Sequence, residues 1–99
     1  MFTVRVAATL TDKGHAAALA QLRRESAEVP HRFPGCERFQ LFVDPDDPRQ
    51  VLVYEEWTDR SAFEGYRNSE YFEQGGAVLF PAMAGPPDSA YYESERVGP

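Results

Sequence analysis

The chain has 99 residues, a formal net charge of −6 and a single cysteine. That length leaves room for one core and no separate cofactor-binding domain, so we expect a single domain over residues 1–99. The acidic balance argues against nucleic acid or an anionic membrane as the main partner, because both require a basic face. Without a signal-peptide pattern, a membrane-spanning stretch or a second cysteine, we expect a cytoplasmic protein.

The first 30 residues predict a strand followed by a helix. Apolar residues alternate over 2–10, which is typical of a half-buried strand with Phe2, Val4, Val6, Ala8 and Leu10 on one face. Thr11 or Asp12 is suited to cap a helix that continues through Val29. Pro30 predicts the end of that helix.

The middle of the chain predicts a β-hairpin. Residues 35–43 form the first strand, with alternation placing Phe39, Leu41 and Val43 on one face and Cys36, Arg38, Gln40 and Phe42 on the other. The turn-rich sequence 44–48 follows, and residues 50–57 form the next strand. So short a connection indicates antiparallel pairing.

The last third predicts two short helical segments and a strand. Thr58 or Asp59 is suited to cap the first segment, and Asn68-Ser69 to begin the second. Gly75-Gly76 predicts a break in the second segment, and residues 89–97 a final strand. The order βαββαβ is that of the ferredoxin-like α+β fold, an antiparallel sheet with its helices on one face. The other face remains open, so we expect a second copy to cover it in a symmetric homodimer.

Familiar cofactor and metal motifs are absent from the sequence. No phosphate-binding or dinucleotide-binding glycine pattern occurs, and His15, His31 and Cys36 lack metal-ligand spacing. We therefore expect neither a cofactor nor a metal. Glu37 beside Cys36 disfavours a thiolate, so this cysteine is expected to be structural.

Aromatic side chains concentrate in residues 54–72. The segment contains Tyr54, Trp57, Phe63, Tyr66, Tyr71 and Phe72. Such residues most often pack in a core. Four of the six carry a polar tip, however, which favours a pocket for a planar phenolic ligand between the sheet and the helices.

An ordered set of motifs over residues 33–72 resembles the antibiotic biosynthesis monooxygenase family. In chain order these motifs are FPGC at 33–36, DPDDP at 44–48, EEWTD at 55–59 and AFEGYRNSEYF at 62–72. The resemblance extends over about residues 2–97 and implies two sheets packed into a dimeric α+β barrel, with a cavity in each subunit. It also implies oxidation of an anthrone, quinol or other aromatic polyketide by O₂ without a bound cofactor.

The site expected from this reading has two catalytic residues. Trp57 stands where the family has its strand-end tryptophan, and we expect it to form a stacking wall with an indole N–H donor. Tyr66 is expected to act as the acid/base or to orient an anion. A tyrosine base requires a nearby cation, which Arg5, Arg38 or Arg96 could supply.

The same aromatic segment and its neighbours supply the expected contacts with the substrate. Tyr54, Phe63, Tyr71 and Phe72 are expected to contact the substrate, with His15 at the cavity mouth. Arg67 is expected to point elsewhere. Glu55 is either a base with a raised pKa or half of an ion pair at the dimer interface. Alternative functions are a non-redox cyclisation or rearrangement and a non-catalytic module that binds a small molecule.

Overall fold

A computed structural model describes all 99 residues. The elements in chain order are β1 (Phe2–Thr9), α1 (His15–Arg32), β2 (Cys36–Val43), β3 (Gln50–Trp57), α2 (Arg60–Arg67), α3 (Glu70–Leu79), a 3₁₀ turn (Phe80–Ala82) and β4 (Asp88–Glu93). The four strands form one antiparallel sheet in the order β2-β3-β1-β4. This is the ferredoxin-like α+β arrangement that the sequence predicts. None of the helices combines the length and the apolarity needed to cross a membrane.

The strand register decides which side chains face the helices. Phe2 pairs with Trp57 and Val4 with Glu55 across β1 and β3, so these four side chains point to the same face of the sheet. That face carries the core between the sheet and the helices, and all four side chains are buried. The odd-numbered side chains of β1 and the even-numbered ones of β3 point to the opposite face, which no helix covers.

The first helix departs from the prediction at both ends. It begins at His15, after a turn in which the Thr11 hydroxyl accepts a hydrogen bond from the Gly14 N–H at 2.9 Å. Thr11 therefore caps the turn that leads into the helix. The expectation that Pro30 ends the helix is wrong, since α1 continues to Arg32. Proline removes only one N–H, and the Phe33 N–H still donates to the Val29 carbonyl at 3.0 Å.

A β-bulge changes the predicted faces of β2. The register with β3 shifts between Cys36 and Arg38, so Cys36 points into the core instead of sharing the outer face with Arg38. Burial raises the pKa of the Cys36 thiol to about 12. A structural role for this cysteine fits both observations.

The two short helices have the predicted caps but not the predicted break. The Asp59 carboxylate accepts from the Ala62 N–H, and the Ser69 hydroxyl accepts from the Phe72 N–H. The expected break at Gly75-Gly76 is wrong, because α3 is continuous over Glu70–Leu79. The last strand ends at Glu93, four residues before the predicted end.

Gly75 has a packing role within α3. A Cβ atom at this position would lie 2.7 Å from Oε2 of Glu25 on α1. The missing side chain therefore leaves the space that the Glu25 carboxylate fills.

Candidate functional site

A cavity of about 250 Å³ lies between the helices and the inner face of the sheet. Its lining is mostly apolar. The lining side chains with polar groups are Glu25, Glu55, Tyr66, Arg67, Ser89 and Tyr91. Two of the lining residues, Phe80 in the 3₁₀ turn and Tyr91 on the edge strand β4, are exposed to solvent. Such an enclosure suits a compact apolar ligand with a few polar contacts.

Glu55 is a buried carboxyl group on the cavity wall. Strand alternation points it inward between Val53 and Trp57, and only 5% of the residue is exposed. The Trp57 indole N–H donates to its Oε1 at 3.0 Å. Burial raises the pKa of Glu55 to about 7, with the indole hydrogen bond opposing and the nearby Glu25 adding to the shift. A carboxyl group with this pKa can accept or hold a proton near neutral pH.

Tyr66 and Glu25 form the second polar element of the cavity. Tyr66 lies on α2 and is 3% exposed, and its hydroxyl donates to Oε1 of Glu25 at 3.4 Å. The Gln21 amide donates to the other Glu25 oxygen at 2.8 Å. Burial raises the pKa of Glu25 despite these two donors.

The surroundings of Tyr66 raise its pKa, whereas a tyrosine that acts as a base requires a lowered pKa. Burial, together with Glu25 and Glu55, raises the pKa of Tyr66 above its ordinary value. Of the three arginines considered as activating cations, Arg5 and Arg38 extend from the outer face of the sheet and Arg96 follows the last strand. None of the three lines the cavity. The hydroxyl therefore stays protonated and can serve as a hydrogen-bond donor.

Trp57 stands behind the cavity wall instead of forming it. The residue is fully buried and is absent from the cavity lining. Its ring stacks on Tyr66 with 5.3 Å between centroids and meets Phe63 edge-on at 5.9 Å. The expected direct stacking on a ligand is therefore not what the geometry offers. Trp57 instead fixes Tyr66 by stacking and Glu55 by hydrogen bonding.

Phe63 and Phe72 line the cavity as the sequence predicts. Tyr54 does not, because it alternates with Val53 and Glu55 and so points to the outer face of the sheet. There its hydroxyl donates to Glu56 at 2.6 Å.

Tyr71 and His15 also lie away from the cavity. The Tyr71 hydroxyl donates to Glu28 at 2.8 Å. His15 begins α1, with its Nδ1 3.0 Å from the Asp12 carbonyl oxygen. Neither side chain is part of the cavity lining.

The prediction from sequence missed several lining residues, among them Glu25 and Arg67. Glu25 falls on the same helical stripe as Leu22 and Val29, and a carboxylate on an apolar stripe is a usable signal of a buried polar site. Arg67 was expected to point elsewhere but reaches the lining from the last turn of α2. It remains exposed to solvent. No signal in the helical spacing distinguishes that position from other surface arginines.

No group of three or more metal-ligating side chains comes together in the structure.

Comparison with known proteins identifies the family of the chain. The sequence model of the antibiotic biosynthesis monooxygenase family matches residues 1–77, more than half of the chain. The chain belongs to the antibiotic biosynthesis monooxygenase family. No curated protein matches the chain in sequence.

Solved structures with the same fold extend the comparison. A protein of Nitrosomonas europaea assigned to the same family is 21% identical, with a TM-score of 0.86 over 95% of this chain and 98% of its own. Rv0793 of Mycobacterium tuberculosis is 15% identical, with a TM-score of 0.86 over 99% and 98% of the two chains. A variant of SnoaB, a cofactor-independent oxygenase from Streptomyces nogalater, is 19% identical, with a TM-score of 0.82 over 99% and 96%. At these identities the likeness concerns the fold.

Proposed function

We propose that this family member is a monooxygenase that oxidises a neutral aromatic ketone, phenol or quinol of the anthrone type with O₂, without a bound cofactor, in natural-product biosynthesis. The observation that carries the proposal is Glu55, a carboxyl group with a pKa of about 7 on the wall of an apolar cavity. Substrates of this class are activated by losing a proton, and Glu55 is suited to accept it. SnoaB, a cofactor-independent oxygenase with the same fold, supports the reaction class.

The proposed reaction balances with O₂ as the only oxidant. Glu55 removes a proton from the substrate CH₂ group, and the resulting anion transfers one electron to O₂. The radical pair combines to a peroxide, which takes a proton and loses water to leave a carbonyl group. In sum, the CH₂ group and one O₂ give one C=O and one H₂O. The apolar lining keeps bulk water from the reactive anion.

The proposal extends to a homodimer formed through the outer face of the sheet. That face bears Phe42 and Tyr92, which are 44% and 47% exposed in the single chain. Burial of such side chains by a second copy follows the usual symmetry of small oligomers. The single buried Cys36 fits a reducing compartment, in line with a cytoplasmic location. Light scattering on the purified protein tests the dimer, and a monomeric mass at micromolar concentration would contradict it.

The experiment for the reaction uses anthrone as the probe. In air, we expect quinone formation with one O₂ consumed per quinone, and no quinone under argon. Glu55→Gln should lower the rate by about 100-fold or more, since a positioned base contributes roughly this much. Glu28→Gln is the matched control, because Glu28 lies outside the cavity. Quinone formation that persists without O₂ ends the oxygenase proposal.

A binding module is the second candidate, favoured by the mostly apolar lining of the cavity. Tyr66→Phe separates the two functions. A binder should lose only about 1 kcal/mol of affinity with the hydroxyl. An enzyme that uses the hydroxyl should instead lose turnover while retaining affinity.

A further inference from the structure

We propose that the cavity contains a second subsite, an apolar compartment that takes an unbranched alkyl chain attached to the aromatic ring of the ligand. The residues of this alkyl compartment are Ala8, Leu10, Val51, Leu79 and Met83, all of which line the cavity. The inference deepens the proposed function, on which it rests only for the position of the ring beside Glu55.

The strand register shows that the cavity is elongated. Val4 pairs with Glu55, and Ala8 pairs with Val51. Glu55 and Val51 are four residues apart on β3, which corresponds to about 13 Å along the strand. Leu10 lies beyond Ala8 in the chain and still belongs to the lining. A ring that contacts Glu55 therefore leaves the far end of the cavity to another part of the ligand.

Helix α3 forms a wall along the same length. Phe72, Gly76 and Leu79 all line the cavity, with the spacing of a single helix face. Phe72 meets the Tyr66 ring edge-on, with 5.2 Å between centroids. Leu79 ends the helix about 10 Å further on, and the 3₁₀ turn that follows leads to Met83. The wall is therefore continuous from the Tyr66 end to the alkyl compartment.

The far end of the cavity has nothing to offer a polar group. The side chains of the alkyl compartment are all apolar. Nearby backbone donors are already used, since the Leu10 N–H donates to the Arg49 carbonyl at 2.7 Å and the Met83 N–H to the Phe80 carbonyl at 3.2 Å. Leu10 is 1% exposed and pairs with Met83 in an isolated bridge, so the two residues close this end. A hydroxyl or keto group placed there would lose its hydrogen bonds to water without replacement.

The two ends of the cavity therefore suit different parts of one ligand. Glu55 and Tyr66 offer polar contacts to an oxygen-bearing ring, whereas the alkyl compartment offers only apolar surface. The whole cavity measures about 250 Å³, which is below the roughly 300–1,000 Å³ of pockets that enclose drug-sized ligands. The space beyond the ring thus admits a thin substituent and not a second ring system. An unbranched alkyl chain has both the shape and the polarity that this space requires.

The test measures the binding of para-alkylphenols under argon by isothermal titration calorimetry, so that turnover with O₂ plays no part. The series runs from phenol through propyl, pentyl and heptyl to nonyl chains. Affinity for the wild-type protein should rise about two- to fourfold per methylene as far as heptyl, and should not rise further at nonyl, where the chain meets Leu10. The branched para-tert-octylphenol should bind at least about tenfold more weakly than its linear octyl isomer, because the branched group buries less of its surface there.

Two variants change the length of the alkyl compartment in opposite directions. Ala8→Leu fills it, and should bind heptylphenol at least about tenfold more weakly than wild type while binding phenol within about twofold. Met83→Ala lengthens it, so the gain in affinity should continue to nonyl. Ala77→Leu is the matched control, because Ala77 is exposed on α3 and lies outside the cavity. It should leave the whole series within about twofold of wild type.

Equal affinities of the linear and branched octyl isomers would overturn the inference, as would a chain-length dependence that Ala8→Leu leaves unchanged. Should Ala8→Leu fail to fold, the ligand series and Met83→Ala decide the point. Oxidation of anthrone in air is a separate readout. Oxidation without the chain-length dependence would remove the subsite and leave the proposed monooxygenase standing. The chain-length dependence without oxidation would remove the monooxygenase and leave the subsite in a binding module.

Discussion

Two tyrosine–glutamate hydrogen bonds join α1 to the short helices, and they lie in different surroundings. Tyr66 donates to Glu25 at 3.4 Å, next to the cavity, and both residues are buried. Tyr71 donates to Glu28 at 2.8 Å, and both residues are half-buried and absent from the cavity lining. The half-buried pair has the shorter bond, and the Arg32 guanidinium lies 4.6 Å from the centre of the Tyr71 ring.

The difference shows that a residue pair does not define a site without its environment. Burial and the nearby carboxylates hold the Tyr66 hydroxyl protonated, and its long bond leaves it available to a ligand. Tyr71 also has a raised pKa, through partial burial and its bond to Glu28, but it faces no cavity. We therefore expect the Tyr66–Glu25 pair to contribute to catalysis and the Tyr71–Glu28 pair to contribute to the stability of the fold.

Removing the two hydroxyl groups one at a time is the most severe test of this contrast. Tyr66→Phe should lower kcat for anthrone oxidation by about 100-fold, the size of effect typical of a hydrogen-bond donor that stabilises a developing oxyanion. Tyr71→Phe should change it by less than about twofold, because its hydroxyl bonds only to Glu28. Steady-state kinetics in air measures both. Comparable losses in the two variants would show that the helical layer, not the cavity hydroxyl, limits the rate.

The buried carboxyl groups should make the protein less stable as the pH rises. In the folded chain the pKa of Glu55 is about 7, above its ordinary value of 4.5, so the folded state binds the proton more tightly. The stabilisation is complete below pH 4.5 and is lost as the pH rises to about 7, for a total of at most about 3 kcal/mol. Glu55→Gln should flatten this slope in urea unfolding measured from pH 5 to 8. Glu28→Gln should leave the slope unchanged, and a wild-type protein that gains stability over this range would contradict the assignment.

The same carboxyl group should set the pH dependence of the rate. Proton removal requires the carboxylate form of Glu55, so kcat/KM should rise about tenfold per pH unit below pH 7 and level off above it. Tyr71→Phe should retain this profile, because Tyr71 lies outside the cavity. A profile that is flat between pH 5.5 and 8 would assign the base to another group.

A methyl group at Gly75 should disturb the buried pair directly. Its Cβ would lie 2.7 Å from Oε2 of Glu25, so Gly75→Ala must displace the carboxylate and should lose at least the gain of about 0.5–1 kcal/mol that alanine otherwise brings in a helix. Gly65→Ala is the matched control on α2, since nothing lies within 4 Å of a Cβ there, and it should gain about 0.5–1 kcal/mol. Thermal unfolding of the two variants decides the point, and equal stabilisation by both would mean that Glu25 does not occupy this space.

The sequence predicts the fold more completely than it predicts the candidate site. Alternation in β1 and β3 and the caps Asp59 and Ser69 predict the elements, because those signals are local. The bulge at Cys36 and the close packing at Gly75 depend on partners distant in sequence, so neither is visible in a local pattern.

The aromatic segment illustrates the same limit at the cavity. Its concentration of rings predicts a pocket wall, and Phe63 and Phe72 do line the cavity. Tyr54 does not, although strand alternation relative to Glu55 already placed it on the opposite face. The buried pairing of Tyr66 with Glu25 joins residues 41 positions apart, which only the packing of α2 on α1 brings together.

The smallest expected effects concern stability. Here Tyr71→Phe should have the larger effect, whereas Tyr66→Phe is expected to have the larger effect on catalysis. Tyr71→Phe breaks a 2.8 Å bond to a carboxylate and should cost about 1 kcal/mol. Tyr66→Phe breaks a 3.4 Å bond beside an existing cavity, creates no new enclosed void, and should cost about 0.5 kcal/mol or less. Denaturant unfolding at one pH measures both with the same baseline. A larger loss of stability in Tyr66→Phe than in Tyr71→Phe would mean that the buried hydrogen bond is structural. That result would contradict the assignment of catalysis to one pair and stability to the other.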